Sequence, residues 1–421
     1  MQNLPINFKV FQFITLLLMT ANRGAFFLLT WFSLSHGAFF VSLVVSVYWW
    51  IYTLSLPFIG AIVDIKSKFK ISLIGCFITF MAIIDIVYFI HDISKTSIII
   101  STVLLSTGAM VFTASSISYS ANLVSNKTQL ASAFKYRSLI LSFTTFIGPS
   151  LGGILLVIMG HSSMALFFMS LALCASLLFF KLPIDKDNDV GSVSFNLSKW
   201  FDDSKAGFRA VRKIPTEYSV AIFIMMLNFF ITPFLGVALP LLAVNQYHFS
   251  STELGVILAF FGIGIVFGST IITFCKIPED KNFVLCFTSV VLLGLSFILI
   301  AIKPYYIEMF ALVFLAGVSI AFFNTIVTAC RAAAIPDEYR SRIETFVLFI
   351  AQISIPIGTS VSGILFPTFG VNNSVILFGL CIILSSISLI FVPNFRDLLM
   401  QRNDETNDET YYKRQFPEAF D

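Results

Sequence analysis

The sequence predicts an all-α membrane protein, twelve transmembrane helices in two pseudo-symmetric six-helix bundles, and three observations carry that expectation. Charged residues make up 12% of the 421 residues and hydrophobic ones 57%, whereas a soluble domain places about a quarter of its residues in Asp, Glu, Lys and Arg. Apolar runs recur along the whole chain, each near the roughly 20 residues that a helix needs to cross a hydrocarbon core of about 30 Å. The runs do not alternate polar and apolar residues, as the strands of a membrane barrel would.

Twelve segments follow, at 10–33, 38–62, 71–91, 97–121, 138–160, 162–181, 218–244, 252–275, 283–302, 306–330, 344–366 and 372–392. Tight turns at Gly160-His161 and from Phe366 to Gly370 force antiparallel neighbours. The first segment is too long for a signal-peptide core and lacks a small-residue cleavage site, so it reads as a retained helix. The hydrophilic stretch 182–217 divides six segments from six and carries charges of both signs, including Asp185, Lys205, Lys213 and Glu217. It reads as a solvated tether with a short interfacial helix within Phe195 to Val211. The expected organisation is an N-terminal bundle at 1–181, a linker at 182–217, a C-terminal bundle at 218–395 and a polar tail at 396–421 whose end, from Gln401, is acidic and disordered.

An even number of crossings puts both termini on one side. If that side is cytoplasmic, every Lys and Arg except Lys95, Lys303 and the intramembrane Arg23 lies inside, as the positive-inside rule requires. The six cysteines all fall in the segments or at their edges, so neither a disulfide nor a metal site is expected.

Two short motifs carry more. The loop after the second segment reads Gly60-Ala61-Ile62-Val63-Asp64-Ile65-Lys66-Ser67-Lys68-Phe69-Lys70. Gly60 permits close helix approach, and Asp64 is the only acid beside three lysines, free to bond a helix N-terminus or arginines elsewhere. Such arginines occur in Pro336-Asp337-Glu338-Tyr339-Arg340-Ser341-Arg342. In the fifth segment, Gly148-Pro149-Ser150-Leu151-Gly152-Gly153 combines a helix-bending proline with glycines that allow tight packing. Pro356-Ile357-Gly358 echoes it in the eleventh.

The Gly60-to-Lys70 loop resembles the signature loop of the major facilitator superfamily, although Ile65 and Ser67 replace the usual basic residue and glycine. The Gly148-to-Gly153 stretch resembles the glycine-proline motif of the superfamily's proton-antiporting exporters. The chain as a whole is similar to the branch with macrolide-efflux proteins and enterobactin-type siderophore exporters. The resemblance implies the major facilitator fold and efflux, by proton antiport, of a small organic molecule such as an anionic metabolite, a siderophore or a drug. Uptake by proton symport is the alternative. It also implies gating roles for Gly60, Asp64, Lys68, Arg340 and Arg342, with Asp64 latching to Arg340 or Arg342, and for Gly148, Pro149, Gly152 and Gly153. The protein would sit as a functional monomer in a bacterial inner membrane. The fourth segment lacks the membrane arginine of many proton-coupled members.

A charge at mid-bilayer is costly and marks function by default. Arg23 lies about 14 residues into the first segment, roughly 21 Å at 1.5 Å per residue. With Asn22 beside it, Arg23 either binds a carboxylate, catecholate or phosphate in the central cavity, serves as a structural ion pair or snorkels outward. Asp85 in the third segment, at matching depth, is its natural partner; it either pairs structurally, couples protons or sits near the surface. The neutral candidates for substrate binding are Asn22, Asn228, Asn324 and Gln352, the last three equally able to join two helices. Gly264 and Gly268 form a small-xxx-small pair. No phosphate-binding loop supports an ATP-driven pump, the four histidines have no ligand spacing, and nothing points to an enzyme, a cofactor or nucleic acid. The expected partners are the substrate, protons and the lipid bilayer.

Overall fold

A computed structural model of the chain describes residues 4–124, 127–184, 211–275, 278–302, 305–400 and 410–420. Lipid offers no water to backbone N–H and C=O groups, so helices must satisfy them internally. The long helices are α1 (Ile6–Leu34), α2 (Ala38–Ile65), α3 (Lys68–Phe89), α4 (Lys95–Asn122) and α5 (Lys127–Phe179). After the linker come α6 (Pro215–Pro233), α7 (Leu239–Asn245), α8 (Ser251–Phe274), α9 (Asn282–Ala301), α10 (Tyr306–Ala334), α11 (Asp337–Phe369) and α12 (Val371–Phe391). Two short helices close the chain, α13 (Phe395–Leu399) and α14 (Tyr411–Gln415).

Among the described residues, 11 stretches are long and apolar enough to cross a membrane. One of them, Leu139–Phe179 with 41 residues, is broken at Gly160, whose φ of 75° is left-handed. Glycine takes that conformation without the Cβ clash other residues suffer, and the break makes twelve crossings. Gly370 turns the chain the same way between α11 and α12 with φ 79°. α6 and α7 form one crossing joined by a π-helical segment, Phe234–Ala238, directly after Pro233, which lacks the N–H that an α-helix would use.

Several helices outrun their apolar segments. α2 continues to Ile65 and α10 to Ala334, because the helix goes on past the membrane core while hydropathy does not. Ser67, which stands where the resemblance expects glycine, is the N-cap of α3 and accepts a bond from Lys70 N at 3.3 Å.

The chain divides into two compact units, one of Met1–Asn196 with Ala243–Ala259, the other of Leu197–Leu242 with Phe260–Asp421. In the first, α1 runs along α5, and α4 packs on α2 and α3. Hydrophobic burial does not drive helices together in lipid, so small residues and polar bonds do. Gly75 meets the Phe112 backbone, Gly108 meets Thr79, and Ser72 donates to Ser115 at 2.7 Å. Near one end Phe11, Tyr119 and Phe179 form an aromatic core.

The second unit uses the same device. Gly294 of α9 abuts Gly379 of α12, Gly264 and Gly268 of α8 abut Phe314, Gly317 and Val318 of α10, and Gly358 of α11 abuts the Phe229 carbonyl of α6. Gly264 and Gly268 thus serve packing inside this unit.

The tail is not disordered throughout. Residues 410–420 form α14 and a 3-10 turn, Pro417–Ala419, with Tyr411, Tyr412 and Ala419 buried; residues 401–409 lie outside the described set. Nor is all of 182–217 a solvated tether: Val211, Ile214, Thr216 and Glu217 are buried, and the proposed helix within Phe195 to Val211 lies almost wholly outside the described residues.

Candidate functional site

Arg23 is built into a cluster on α1, α2, α4 and α5. Asn22 is fully buried; its amide donates to the Leu105 carbonyl at 2.9 Å and its carbonyl accepts from the Tyr48 hydroxyl at 3.0 Å. Asn22 therefore fixes α1 against α4 and α2, with its two polar atoms taken. The neighbouring Arg23 lies half-buried, its guanidinium carbon 5.8 Å from the ring centroids of both Tyr48 and Trp49. That is cation–π range. Tyr48→Phe would strand the buried Asn22 carbonyl and should cost about 1–3 kcal/mol, read as a lower unfolding temperature of the purified protein.

Gly148 and Gly152 of α5 face α1. A Cβ at 148 would lie 2.5 Å from the Cβ of Arg23, and one at 152 would lie 2.9 Å from Phe27. Gly153 faces Ser251 and Gly255 at the start of α8, and its carbonyl accepts from Ser251 at 3.3 Å and Thr252 at 3.2 Å. The glycine-proline stretch thus gives α1 its close seat beside the arginine.

Asp85 is not the partner of Arg23. It lies four residues before Phe89, the last of α3, and accepts a bond from Ser101 Oγ at 2.6 Å. Among the described residues no carboxylate pairs with Arg23. Arg23 follows Ile6, and Asp85 follows Lys68, by the same 17 residues along their helices, but the Asp85 carboxylate bonds α4 while Arg23 lies against α2.

The sequence reading passed over Arg137, which precedes the fifth segment by one residue and counted there as a loop charge. It is 9% exposed, donates to Ser116 Oγ at 2.9 Å, and its Nε has no partner. Its place just outside an apolar run gave no signal.

In the second unit one of the neutral candidates joins two helices. Asn228 of α6 donates to the Ala351 carbonyl of α11 at 3.0 Å, and Gln352, the next residue, holds a buried Oε1 without a partner. Asn324 of α10 is exposed and joins neither. The side chains of Gly60, Asp64, Arg340 and Arg342 lie outside the described residues, and Lys68 sits at the first position of α3.

The second unit also holds an ion pair that the sequence did not announce. Glu217, fully buried at the start of α6, meets Arg331 near the end of α10: Nε lies 3.0 and 2.9 Å from the two carboxylate oxygens and Nη2 2.8 Å from Oε2. Tyr412, also fully buried, donates to Glu217 Oε1 at 2.9 Å. Burial first, then the Glu217 carboxylate, holds the phenol well above its usual value, so Tyr412 remains a hydrogen-bond donor.

The fold has many counterparts among solved structures. The human organic anion transporter MFSD10 (TETRAN) matches with a TM-score of 0.64 at 14% identity, over 91% of this chain and 100% of that one. The nucleoside transporter NupG matches at 0.68 and 14%, over 93% and 99%. A POT family transporter in complex with 5-aminolevulinic acid matches at 0.69 and 14%, over 93% and 97%. At such identities the likeness is one of fold. No protein of curated function matches the chain in sequence. The family described as transmembrane secretion effector matches residues 3–415, nearly the whole chain, and its membership joins the twelve-crossing fold to a single conclusion: this is a multi-pass membrane transporter of the major facilitator superfamily, belonging to the transmembrane secretion effector family.

Proposed function

We propose that the protein exports a small organic anion, such as an acidic metabolite, a siderophore or an anionic drug, across the bacterial inner membrane by proton antiport. The observation that carries this reading is Arg23, a cation well inside the bilayer that faces Tyr48 and Trp49 rather than a carboxylate. A charge in that position is expensive unless something compensates it, and a bound anion does so through the guanidinium's fork of donors. Arg137, buried with its Nε open, adds positive potential to the same unit. The family's description as a secretion effector supports the outward direction, and an organic anion transporter among the structural counterparts is in keeping with the charge of the substrate.

Substrate would contact Arg23 in the first unit. Asn228 and Gln352 remain polar candidates for substrate binding. Asn22 acts behind Arg23 by holding it in place. Asp85, the only carboxylate in α1, α3, α4 and α5, is the candidate proton carrier. The gating roles of Gly60, Asp64, Lys68, Arg340 and Arg342, and the cytoplasmic placement of both termini, rest on the loop resemblance and the charge bias.

The test is uptake into inverted inner-membrane vesicles, with and without an imposed proton gradient, of a panel of radiolabelled carboxylates, a catecholate siderophore and cationic dyes. Gradient-dependent accumulation of an anion is expected. Accumulation of cationic dyes alone would overturn the anion reading, and accumulation only in right-side-out vesicles would overturn export.

A further inference from the structure

The last residues of the chain are fastened to the second unit at separate points. Tyr412 inserts its phenol onto Glu217, already held by Arg331. The Glu418 carbonyl accepts from Lys213 Nζ at 2.6 Å. The Phe420 carbonyl accepts from the Tyr339 hydroxyl at 2.7 Å, and the rings of these two residues lie edge to face at 5.0 Å. The residues gripped stand at the start of α6 and just before it, at the end of α10 and at the start of α11. Glu217 and Arg331 already join α6 to α10 at this face, and the tail adds the start of α11 through Tyr339.

We infer that Thr410–Phe420 is a built-in, releasable clamp that fastens the start of α11 to the joined ends of α6 and α10. Three features fit a clamp better than a permanent part of the core. The fully buried contact is the Tyr412 ring and hydroxyl on a preformed ion pair, with Tyr411 and Ala419 buried near it, so Glu217 and Arg331 keep each other when the tail leaves. The remaining tail bonds use backbone carbonyls at the surface. Lys413, Arg414 and Gln415 on α14 face solvent, leaving a helix of 5 residues too short to be stable undocked. The inference is independent of substrate and of transport direction.

Two measurements on the purified full-length protein test it. Trypsin cuts after Lys413 and Arg414 only when α14 is released, and mass spectrometry of the C-terminal peptides distinguishes these cuts from one after Arg402. Tyr412→Phe, which removes one hydrogen bond to a charged group, should speed cleavage roughly tenfold, and Tyr412→Ala should speed it further. Hydrogen exchange then compares the full chain with one ended at Glu409. Exchange at 217–221, 331–335 and 339–343 should rise about tenfold or more, with 290–300 in α9 unchanged. Equal cleavage of wild type and Tyr412→Ala would mean that the tail does not dock. Unchanged exchange on truncation would mean that it docks without clamping, and faster exchange throughout the unit would make it an ordinary piece of the fold; each overturns the inference.

Discussion

Arg331→Met alone is expected to cost about 3–5 kcal/mol of stability, because it leaves the Glu217 carboxylate charged, fully buried and without its counter-ion. Glu217→Leu should do the same by stranding the guanidinium. The double variant Glu217→Leu with Arg331→Met should recover most of the loss, since replacing both partners by apolar groups removes the desolvation penalty along with the attraction. Thermal unfolding of the purified proteins reads all three. A double variant no more stable than either single one would show that the pair is held by something other than mutual charge compensation. Tyr412 gives the cycle an internal control: in the double variant its hydroxyl has no carboxylate to bond, so the tail should be released even where the unit itself is restored.

Gly148→Leu is expected to strike packing and transport together. The Cβ alone would come within 2.5 Å of Arg23 Cβ and 3.0 Å of the Gly24 nitrogen, so α1 and α5 must separate. Forcing such groups into a packed seat costs about 1–3 kcal/mol, and the displaced α1 carries Asn22 and Arg23 with it. Accumulation of the anion in inverted vesicles should fall at least tenfold even when folded protein is present at normal level. By contrast Gly160→Ala, at a turn where a Cβ would meet nothing within 4 Å, strains the backbone without touching the arginine and should leave transport far less affected. Equal loss from both would separate the glycine stretch from the arginine it seats.

The crossings were legible in the sequence because lipid admits only helices and closed barrels, and long apolar runs without alternation fit only the helix. Gly160 was legible as a turn for the same reason: it lies between two apolar runs that together are too long for one crossing. Arg23 stood out because a single charge inside such a run has few bland explanations. What escaped lies where apolar runs meet polar loops. Glu217 and Arg331 each looked like a surface charge near a helix end, and only the fold shows that the two ends converge. Arg137 was hidden in the same way, one residue outside its segment. Asp85 was mispaired because equal depth along two helices does not say which neighbour each side chain meets: Asp85 bonds Ser101 of α4. The tail was read from its acids, whereas Tyr411, Tyr412, Phe416 and Phe420 settle where it goes: aromatic rings with a polar tip bury well where that tip finds a partner.

The central claim is that Arg23 meets an anion, and one comparison tests it most directly. Gradient-driven uptake of the anion identified in inverted vesicles is measured for wild type, Arg23→Lys and Arg23→Gln, each at matched levels of folded protein. Loss of the charge in Arg23→Gln should reduce uptake at least a hundredfold, and Arg23→Lys, which keeps the charge but not the planar fork of donors, should retain part of it. Undiminished uptake in Arg23→Gln would contradict the account and leave Arg23 as a residue that holds α1 against Tyr48 and Trp49.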